Sequence, residues 1–357
     1  MNIGIDGGPL SITDERLKVG VYRDTVELIS AMSKLRENHR FTVYLFTAPE
    51  GIGERFPKNV TFKLVQPSTG FMKVRLPLEL ALHPVDVFIG TAQAVPVTKC
   101  PTVGIINDLG FLYNPDAYGK SAKKLAEQTQ QLVNRTSHII CISKFTKVDV
   151  ISHYHADPEK ITVASPGVSA AFSSTGPSFP HPRPYILFVG SLTRSKNLPQ
   201  AIRIFYEFLK RSKKDVDFLL AGGDYWPDPE IDRTIESLHL KGRVKLLGRV
   251  SDKKLAILYR GATAFLTTAL HEGFCLPAAE AMASGTPVVA IDRGALSEIV
   301  EDAGFVVSKE NQAMEALMTL LTKTTTREVH KKKAIARAKM FTSQEFARKV
   351  LDVVEKV

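Results

Sequence analysis

The sequence has few cysteines and no long apolar run. Its 357 residues include three cysteines, which stand far apart at Cys100, Cys141 and Cys275. They have neither the spacing of a metal site nor the even count of a disulfide framework, so we expect a reducing, cytoplasmic location. No apolar run approaches the ~20 residues of a membrane span. Residues 1–10, MNIGIDGGPL, also lack the basic and apolar regions of a signal peptide.

Acidic residues are fewer than basic ones. There are 37 Asp and Glu against 47 Lys and Arg, a net charge of +10. An excess of this kind suggests nucleic acid, an anionic membrane surface or an anionic substrate as partner. The basic clusters at 120–124, 210–214 and 331–333 have no interleaved aromatics or nucleic-acid signature. Nucleic acid is therefore not expected, whereas solvated helix faces and peripheral contact with an anionic membrane both stay open.

The length and the order of the elements indicate two domains. With 44% hydrophobic and 24% charged residues, the chain is typical of a globular protein. Strand patterns alternate with helix patterns from Asn2 to Ala164 and again from Tyr185 to Val307. Such alternation predicts an α/β fold with a doubly wound parallel sheet in each half. Four prolines within residues 173–184 indicate a linker between the halves, because they exclude helix and central strand.

One segment of the first half is ambiguous. Between Gly70 and Leu82, apolar residues alternate with Lys73, Arg75 and Glu79. This pattern fits a mobile amphipathic surface or the edge of a helix packed on the core, and we favour packing.

Function in such sheets is expected beyond the carboxyl ends of the strands. Glycine or polar residues follow several predicted strands there, namely Gly7, Asp108, Ser143, Gly190, Gly223 and Glu272. Neither GIDGGP nor VGSLTRSK matches a dinucleotide-binding or a P-loop pattern. A nicotinamide enzyme and a P-loop NTPase are therefore not supported.

Residues 271–290, HEGFCLPAAEAMASGTPVVA, carry the most informative pattern. They predict a turn, a helix with Pro277 in its first turn, a stop at Ser284-Gly285 and a buried strand. Glu272 and Glu280 flank the start of that helix. Its free backbone N–H groups form a predicted anion site, and they belong to Gly273, Phe274, Cys275 and Leu276. Two solvated glutamates at an ordinary helix start are the alternative.

Together these motifs resemble the retaining, nucleotide-sugar-dependent glycosyltransferases of the group 1 family. The resemblance covers nearly the whole chain and is strongest from Tyr185 to Val307. It implies the GT-B fold, in which two Rossmann-like domains face each other across a cleft. The implied division is 1–172 for the acceptor domain, 173–184 for the linker and 185–340 for the nucleotide-sugar domain. Residues 341–357 would form a helix that packs back on the first domain.

The resemblance also implies roles for individual residues of the second domain. Glu280 would accept hydrogen bonds from ribose hydroxyls, Glu272 would contact the transferred sugar, and the backbone of residues 273–276 would hold the sugar and diphosphate. Lys196 in FVGSLTRSKN falls on the phosphate-binding lysine, which neutralises the departing diphosphate. Gly190 begins that motif, and Val250 lies in the loop that reads the base.

Three departures from the family pattern concern catalytic detail. Ser191 replaces an arginine that follows the glycine in many members, and Arg194 is a candidate substitute. A His-Asp pair becomes Asn107-Asp108, where Asp108 is a predicted catalytic residue. In the segment Lys18 to Tyr22, which corresponds to the G-x-G-x-Y of the family, Lys18 stands at the first glycine and only Gly20 and Tyr22 match. Gly20 is predicted to let the backbone approach the diphosphate or the acceptor.

The resemblance thus implies a hexosyltransferase that needs no metal or cofactor. Its partners would be a nucleotide-sugar donor, with a slight preference for GDP-mannose, and a glycan or lipid-linked acceptor. Asp215 and Asp217 have the D-x-D spacing of metal-dependent relatives, but they stand at a strand entrance, away from the expected chemistry. The alternatives are a catalytically weak nucleotide-sugar-binding subunit and another GT-B enzyme such as a sugar-nucleotide epimerase. The predicted location is the cytoplasm or the inner face of the membrane.

Overall fold

The computed structural model describes residues 1–14, 18, 20–49, 51–223 and 228–357, with only the backbone of Arg55. Val19 of the predicted donor loop therefore lies outside the described residues. The strands are β1 (Asn2–Asp6), β2 (Arg40–Leu45), β3 (Val60–Leu64), β4 (Val87–Gly90), β5 (Thr102–Ile106), β6 (His138–Cys141), β7 (Ile161–Val163), β8 (Tyr185–Val189), β9 (Asp217–Ala221), β10 (Val244–Gly248), β11 (Ala264–Thr267), β12 (Val288–Ile291) and β13 (Phe305–Val307).

The helices complete the alternation. They are α1 (Gly20–Leu35), α2 (Leu76–Leu82), α3 (Gly110–Tyr113), α4 (Pro115–Tyr118), α5 (Ser121–Arg135), α6 (Lys144–Tyr154), α7 (Leu198–Ser212), α8 (Glu230–Ser237), α9 (Asp252–Gly261), α10 (Leu276–Ala283), α11 (Leu296–Val300), α12 (Glu310–Thr322), α13 (Thr324–Ala338) and α14 (Ser343–Val354). Short 3-10 turns and one π-helical turn, Phe71–Arg75, connect them.

The strands form two parallel sheets with the same winding. The first has seven strands in the order β3-β2-β1-β4-β5-β6-β7, and the second has six in the order β10-β9-β8-β11-β12-β13. Each order starts in the middle of its sheet and winds outward in both directions, so the predicted doubly wound fold is confirmed. Strands such as β5, β9 and β12 are buried at every residue, which explains their continuous apolar runs.

The chain divides into two compact units. The first comprises residues 1–112, 119–167 and 342–357, and the second comprises residues 113–118 and 168–341. The chain thus passes from one unit to the other between Gly167 and Val168, and residues 173–184 lie within the second unit. The assignment of acceptor and donor roles to the two units stays a prediction.

Helix α14 packs within the first unit, against α1. It begins at Ser343 because the Thr342 side chain accepts a hydrogen bond from the Glu345 backbone N–H at 3.1 Å and so caps the helix. Arg36, which follows α1, donates to Glu355 at 2.7 Å. Lys349 donates to the carbonyl of Val163 in β7 at 3.3 Å.

The ambiguous segment at residues 70–82 is helical and packs on the core along one face. Its residues Phe71, Leu76 and Leu80 are buried, which confirms that the segment packs on the core. Leu78 and Leu82, on the opposite face, are 55% and 74% exposed. The pattern alternates, although the segment is helical, because a π-helical turn shifts the helical register where the segment begins.

A dense ionic network, which we call the Asp217 network, lies at the amino ends of the strands of the second unit. Asp217 is the first residue of β9 and its side chain has no exposed area. His181 Nε2 lies 2.7 Å from its carboxylate, and Lys245 Nζ lies 3.2 Å away. Arg183 and Arg243 approach to 3.5 and 3.6 Å. The prediction that this aspartate stands at a strand entrance is therefore confirmed.

The same end of the second unit fixes the proline-rich segment. Arg183 Nε donates to Asp215 at 2.6 Å. Arg260 Nε donates to the carbonyl of Pro177 at 2.7 Å, and its Nη1 donates to that of Ser173 at 3.1 Å. Residues 173–184 contain neither helix nor strand, as their prolines predict, yet they are held by side chains of the second unit. Within the described residues, no helix has the length and hydropathy needed to cross a membrane.

Candidate functional site

The loops after β8 and β9 meet at glycines. Gly190 has φ +151°, a conformation that favours glycine, and its N–H donates to the carbonyl of Ala221 at 3.0 Å. A Cβ on Gly222 would lie 1.7 Å from the Gly190 carbonyl oxygen. The Leu192 N–H then donates to the carbonyl of Gly223 at 3.0 Å. The backbones of the two loops therefore approach at a distance that a side chain would prevent.

The loop that carries Lys196 is fixed to the loop after β11. Asn197 adopts a left-handed conformation, with φ +50°, which ends the 3-10 turn at Lys196 and starts α7. The Thr268 hydroxyl donates to the carbonyl of Asn197 at 2.8 Å, and the Leu270 N–H donates to that of Ser195 at 2.8 Å. These bonds place Lys196 beside the residues that follow β11.

Lys196 and Glu272 form an ion pair. Lys196 Nζ lies 2.7 Å from Glu272 Oε1, and the two side chains are 27% and 11% exposed. Partial burial reduces the competition from water, so the pair is a stronger electrostatic feature than an exposed one. The sequence pattern indicated both residues, and the structure brings them into contact although 76 positions separate them.

The backbone of Glu272 is held from the other side by a turn. Gly294 has φ +68°, and a Cβ there would lie 2.1 Å from the Glu272 carbonyl oxygen. The next residue, Ala295, donates its N–H to that oxygen at 2.8 Å. The turn after β12 therefore fixes the position from which the Glu272 carboxylate reaches Lys196.

Helix α10 starts from an uncommon backbone conformation. Its N-cap, Cys275, has φ +73° and ψ +68°, a left-handed conformation that is strained for a residue with a side chain. The Cys275 carbonyl accepts the Ala278 N–H at 3.0 Å. Pro277 lies in the first turn, and the helix ends at Ser284 followed by Gly285 with φ +77°. The predicted start and stop signals are thus confirmed.

The residues before α10 are largely buried. Gly273 is buried, and Leu276 is partly exposed. Phe274 is 2% exposed, and its ring packs edge-on against that of Phe341 with the ring centroids 5.0 Å apart. Burial raises the pKa of the Cys275 thiol well above its ordinary value, the charge of Glu272 raises it further, and Lys196 opposes both. A thiol that stays protonated is not a nucleophile, so Cys275 contributes backbone and packing here.

Glu280 lies on the buried face of α10. Its side chain is 2% exposed, and the Tyr259 hydroxyl donates to its Oε2 at 3.1 Å. Tyr259 is itself fully buried on α9. The sequence pattern did not identify this partner, because a tyrosine at an apolar helix position is typical of core packing. The predicted contact of Glu280 with a ribose stays a prediction.

The remaining predicted residues of the second unit are more exposed. Arg194 is 63% exposed at the side chain and lies 4.0 Å from Asp228 Oδ1, so its contact is weak. Ser191 and Val250 are partly exposed and follow β8 and β10. Gly248, at the end of β10, has φ +64°, which turns the chain towards Val250.

Two predicted residues belong to the first unit. Asp108 follows β5, and its Oδ1 accepts the Gly110 N–H at 2.8 Å, while Gln93 donates to its carbonyl at 3.2 Å. Gly20 begins α1, and a Cβ there would meet no described atom within 4 Å. Open space at Gly20 is compatible with a ligand beside it.

One neighbour of Glu272 was not predicted. The ring of Tyr113, at the end of α3, stacks on His271 with ring centroids 4.6 Å apart and planes 19° apart. The four-residue helix α4 also contacts the turn that ends at Lys196. Helices this short leave no periodic signal, so the sequence did not reveal that residues 113–118 lie beside the site. In the described part of the chain, no group of three or more His, Cys, Asp or Glu residues is arranged to hold a metal ion.

Two parallel, doubly wound units, the second of which carries a basic and acidic pair at the carboxyl ends of its strands, are typical of the GT-B class. The family model for glycosyl transferases group 1 matches residues 173–338, and that for glycosyltransferase family 4 matches residues 20–172. The chain belongs to the group 1 glycosyltransferases of the GT-B fold.

Individual relatives are distant. Over 252 residues the chain is 24% identical to the O-antigen chain mannosyltransferase B of Escherichia coli, covering 67% of this chain and 66% of that protein. It is 29% identical to the D-inositol 3-phosphate glycosyltransferase of Corynebacterium efficiens, covering 64% and 58%. The alignments thus span less than two thirds of these relatives.

A solved structure shares the fold over the full length. Sucrose-phosphate synthase from Thermosynechococcus elongatus superposes with a TM-score of 0.80 at 16% identity, covering 99% of this chain and 98% of that one. At this identity the likeness concerns the fold alone.

Proposed function

We propose that the protein is a glycosyltransferase that moves a hexose from a nucleoside diphosphate sugar to a hydroxyl of a glycan or lipid-linked acceptor. The observation that carries this proposal is the 2.7 Å pair of Lys196 and Glu272 beside the start of α10. It combines a cation for the diphosphate with a carboxylate for sugar hydroxyls. Family membership of the chain gives the proposal its reaction class.

The diphosphate would lie at the amino-terminal end of α10. The helix dipole and the backbone N–H groups at the start of the helix favour an anion there. When the bond from the sugar to the diphosphate breaks, negative charge grows on the leaving oxygen. Lys196 would stabilise that charge, so we propose that no metal ion is needed. Without donor, Glu272 keeps the lysine ammonium oriented.

The sugar and the nucleoside would lie on either side of the diphosphate. Glu272 would exchange part of its bond to Lys196 for sugar hydroxyls. Glu280 would accept a hydrogen bond from the ribose after a small movement that exposes its carboxylate. We place the base near Val250 and the phosphates near Gly190, Ser191 and Arg194.

We propose that the configuration at the anomeric carbon is retained. The acceptor would attack from the face that the diphosphate leaves, and a phosphate oxygen would take the proton of its hydroxyl. Asp108 of the first unit, whose second oxygen is not used by Gly110, would orient the reacting groups. Exclusion of water around the donor would prevent hydrolysis.

GDP-mannose is the donor that we favour slightly. Its support is the Lys196-Asn197 pair of the motif and the mannosyltransferase name of the Escherichia coli relative. The name of the Corynebacterium relative includes no donor, so the sugar and the base need a direct measurement.

A nucleotide panel tests the proposal. Purified protein would be heated with GDP, UDP, ADP and their sugars, since a bound ligand raises the unfolding temperature according to its concentration and Kd. We expect one nucleoside diphosphate to stabilise the wild type and to have little effect on Lys196→Ala. Lys241→Ala, in an exposed pair with Glu236, is the matched control and should respond like the wild type.

Transfer is then measured with the selected sugar nucleotide, and nuclear magnetic resonance of the product gives its anomeric configuration. A protein that binds no nucleotide, or that binds one and transfers its sugar to no hydroxyl acceptor, would refute the proposed activity. Undiminished transfer in the presence of a metal chelator is expected.

The location stays a prediction. A cytoplasmic protein with peripheral membrane contact fits the basic clusters and the exposed face of α2. Sedimentation with vesicles that contain anionic lipids, compared with neutral vesicles, would test that contact at two salt concentrations.

A further inference from the structure

Residues 113–118 belong to the second unit, although the residues on both sides of them belong to the first. The chain enters the second unit for this short segment and then returns to α5 of the first. The segment consists of the end of α3, Asn114 and the four-residue helix α4. A segment of this length has little core of its own, so its contacts with the second unit indicate what it does there.

The segment contacts the second unit at two points. The ring of Tyr113 stacks on that of His271, with the ring centroids 4.6 Å apart. At the other end, α4 contacts the 3-10 turn Arg194–Lys196. The segment thus lies against the residue before Glu272 and against the turn that carries Lys196. These are the two parts of the chain whose side chains form the 2.7 Å ion pair.

The backbone on both sides of His271 is held by hydrogen bonds. The Leu270 N–H donates to the carbonyl of Ser195 at 2.8 Å, and the Glu272 carbonyl accepts the Ala295 N–H at 2.8 Å. His271 lies between these two bonds, and the stacked tyrosine holds its side chain in addition. The residue that precedes the sugar-side carboxylate is therefore restrained in both backbone and side chain.

Tyr113 does not serve the core of the unit. It is 47% exposed, whereas Tyr185 and Tyr259 of the same unit are 2% and 0% exposed. Stacked aromatic rings attract one another beyond the surface that they bury, so the contact with His271 gives the ring a defined place. An exposed ring that is ordered beside an ion pair is suited to a role in the site.

A carboxylate that binds sugar hydroxyls needs a fixed direction, because hydrogen bonds weaken steeply when their angle is poor. Without a ligand, the bond to Lys196 orients the carboxylate of Glu272. In the proposed reaction, the sugar takes over part of that bond and Lys196 turns to the diphosphate. Restraint of Glu272 from its own backbone then matters most, and it matters only for a ligand that carries a sugar.

We propose that Tyr113 is a positioning residue for the transferred sugar. Through its stack on His271 it fixes the direction in which Glu272 presents its carboxylate to the sugar hydroxyls. This role rests on the proposed function and adds to it a residue from the first half of the sequence. The diphosphate is held by Lys196 and the start of α10, independently of Tyr113.

The test compares a nucleotide with and without its sugar. Isothermal titration of the full chain with GDP-mannose and with GDP gives the two affinities. Tyr113→Leu removes the ring and should weaken GDP-mannose about fivefold to tenfold, the equivalent of one net hydrogen bond. The affinity for GDP should change by less than about twofold, because GDP makes no contact with Glu272. If the nucleotide panel selects another base, its sugar nucleotide and diphosphate replace these probes.

Conservative and matched variants isolate the ring. Tyr113→Phe keeps the stack and should retain the affinity for GDP-mannose within about twofold. Tyr206→Leu makes the same change at a partly exposed tyrosine of α7 and should leave both affinities unchanged. Because Tyr113 is half exposed, its variants are expected to fold, and their unfolding temperatures without ligand check this.

A double variant tests whether Tyr113 acts through His271. His271→Leu breaks the stack from the other side and should weaken GDP-mannose at least as much as Tyr113→Leu. Combined, the two losses should not add, because both changes remove the same contact. Additive losses would mean that Tyr113 acts by another route and would overturn the positioning role. His271→Leu also gives the comparison of GDP-mannose with GDP if Tyr113→Leu is unstable.

The remaining outcomes separate this role from the proposed function. Equal losses of GDP and GDP-mannose in Tyr113→Leu would mean that the ring only supports the fold of the site. Equal losses, or no loss of either ligand, overturn the positioning role alone, since the wild type still binds its donor. A wild type that binds neither a sugar nucleotide nor a nucleoside diphosphate refutes the proposed function, and the positioning role with it.

Discussion

The two ends of the sheet of the second unit both carry charge, but in different ways. At the amino ends of its strands, four basic side chains surround the buried carboxylate of Asp217 within 3.6 Å. At the carboxyl ends, Lys196 and Glu272 form one partly exposed pair. Close to that pair the backbone adopts left-handed conformations at Asn197 and Cys275.

The difference separates a charge that stabilises the fold from one that is available to a ligand. Asp217 has no exposed area, and its partners also fix the proline-rich segment to β9. Lys196 and Glu272 keep exposed surface, and a ligand can replace part of the bond between them. Strained backbone conformations are often retained where they serve a function, and Asn197 and Cys275 adopt them beside Lys196 and Glu272.

The largest expected effect is at the amino ends. Asp217→Ala removes the carboxylate and leaves the positive charges of three cations beside His181 without that partner. The free energy of unfolding should therefore fall by about 3–5 kcal/mol. Urea unfolding followed by circular dichroism measures it. Asp215→Ala, at an exposed carboxylate of the same network, is the control and should cost less than about 1 kcal/mol. Similar losses in both variants would contradict the special role of Asp217.

At the carboxyl ends, the expected loss is in activity. Lys196→Ala should lower sugar transfer by about 10²–10³-fold, the size found when one group that stabilises transition-state charge is removed. The free energy of unfolding should change little, because the side chain is 27% exposed. Transfer close to the wild-type rate in this variant would show that Lys196 does not hold the diphosphate.

A pH series compares Asp217 with Asp6, the buried aspartate of the other unit. Burial raises the pKa of Asp6 from 3.8 to about 6. The folded state thus favours the neutral form of Asp6. Its contribution to stability should therefore decrease by up to roughly 3 kcal/mol as the pH rises from about 4 to 6. In Asp6→Asn this decrease should be absent.

The pKa of Asp217 is shifted the other way. Burial would raise it, but hydrogen bonds from His181 and Lys245 and the nearby cationic charges bring it below its ordinary value. Its contribution is therefore present above the ordinary aspartate pKa of about 3.9 and lost as the pH falls further. Urea unfolding at a series of pH values gives the difference in free energy of unfolding between the wild type and each variant. With rising pH this difference should decrease for Asp6→Asn and increase for Asp217→Asn, and parallel trends would contradict the comparison.

The smallest effect is expected beneath α10. Tyr259→Phe removes the hydroxyl that donates to Glu280 and leaves a buried carboxylate oxygen without that donor, so stability should fall by about 1–3 kcal/mol. The nucleotide should bind less tightly as well if Glu280 contacts the ribose. Tyr206→Phe, at a partly exposed tyrosine of the same unit, is the control.

Much of the fold follows from sequence patterns because buried strands and amphipathic helices leave periodic signals. Strands and helices alternate in both halves of the chain as the patterns predict, and the second alternation begins at Tyr185. Helices α3, α4 and α11 were missed because four or five residues are too few for a periodic signal. The π-helical turn was missed because an alternating pattern concealed it.

The site was predictable where residue type and chemistry coincide. Lys196 and Glu272 stand in motifs, so their proximity could be anticipated. The Tyr259 donor to Glu280 could not, because it depends on how α9 packs beside α10. The stack of Tyr113 on His271 could not be anticipated either, since helices α3 and α4 are too short to leave a periodic signal.

The position of α14 has a consequence for synthesis on the ribosome. Residues 343–354 cover α1 of the first unit, yet they are translated after the whole second unit. The apolar face of α1 therefore stays exposed while residues 168–341 are translated and fold. The unit that is translated first is completed last, and chaperones that recognise apolar surface have their longest access to it.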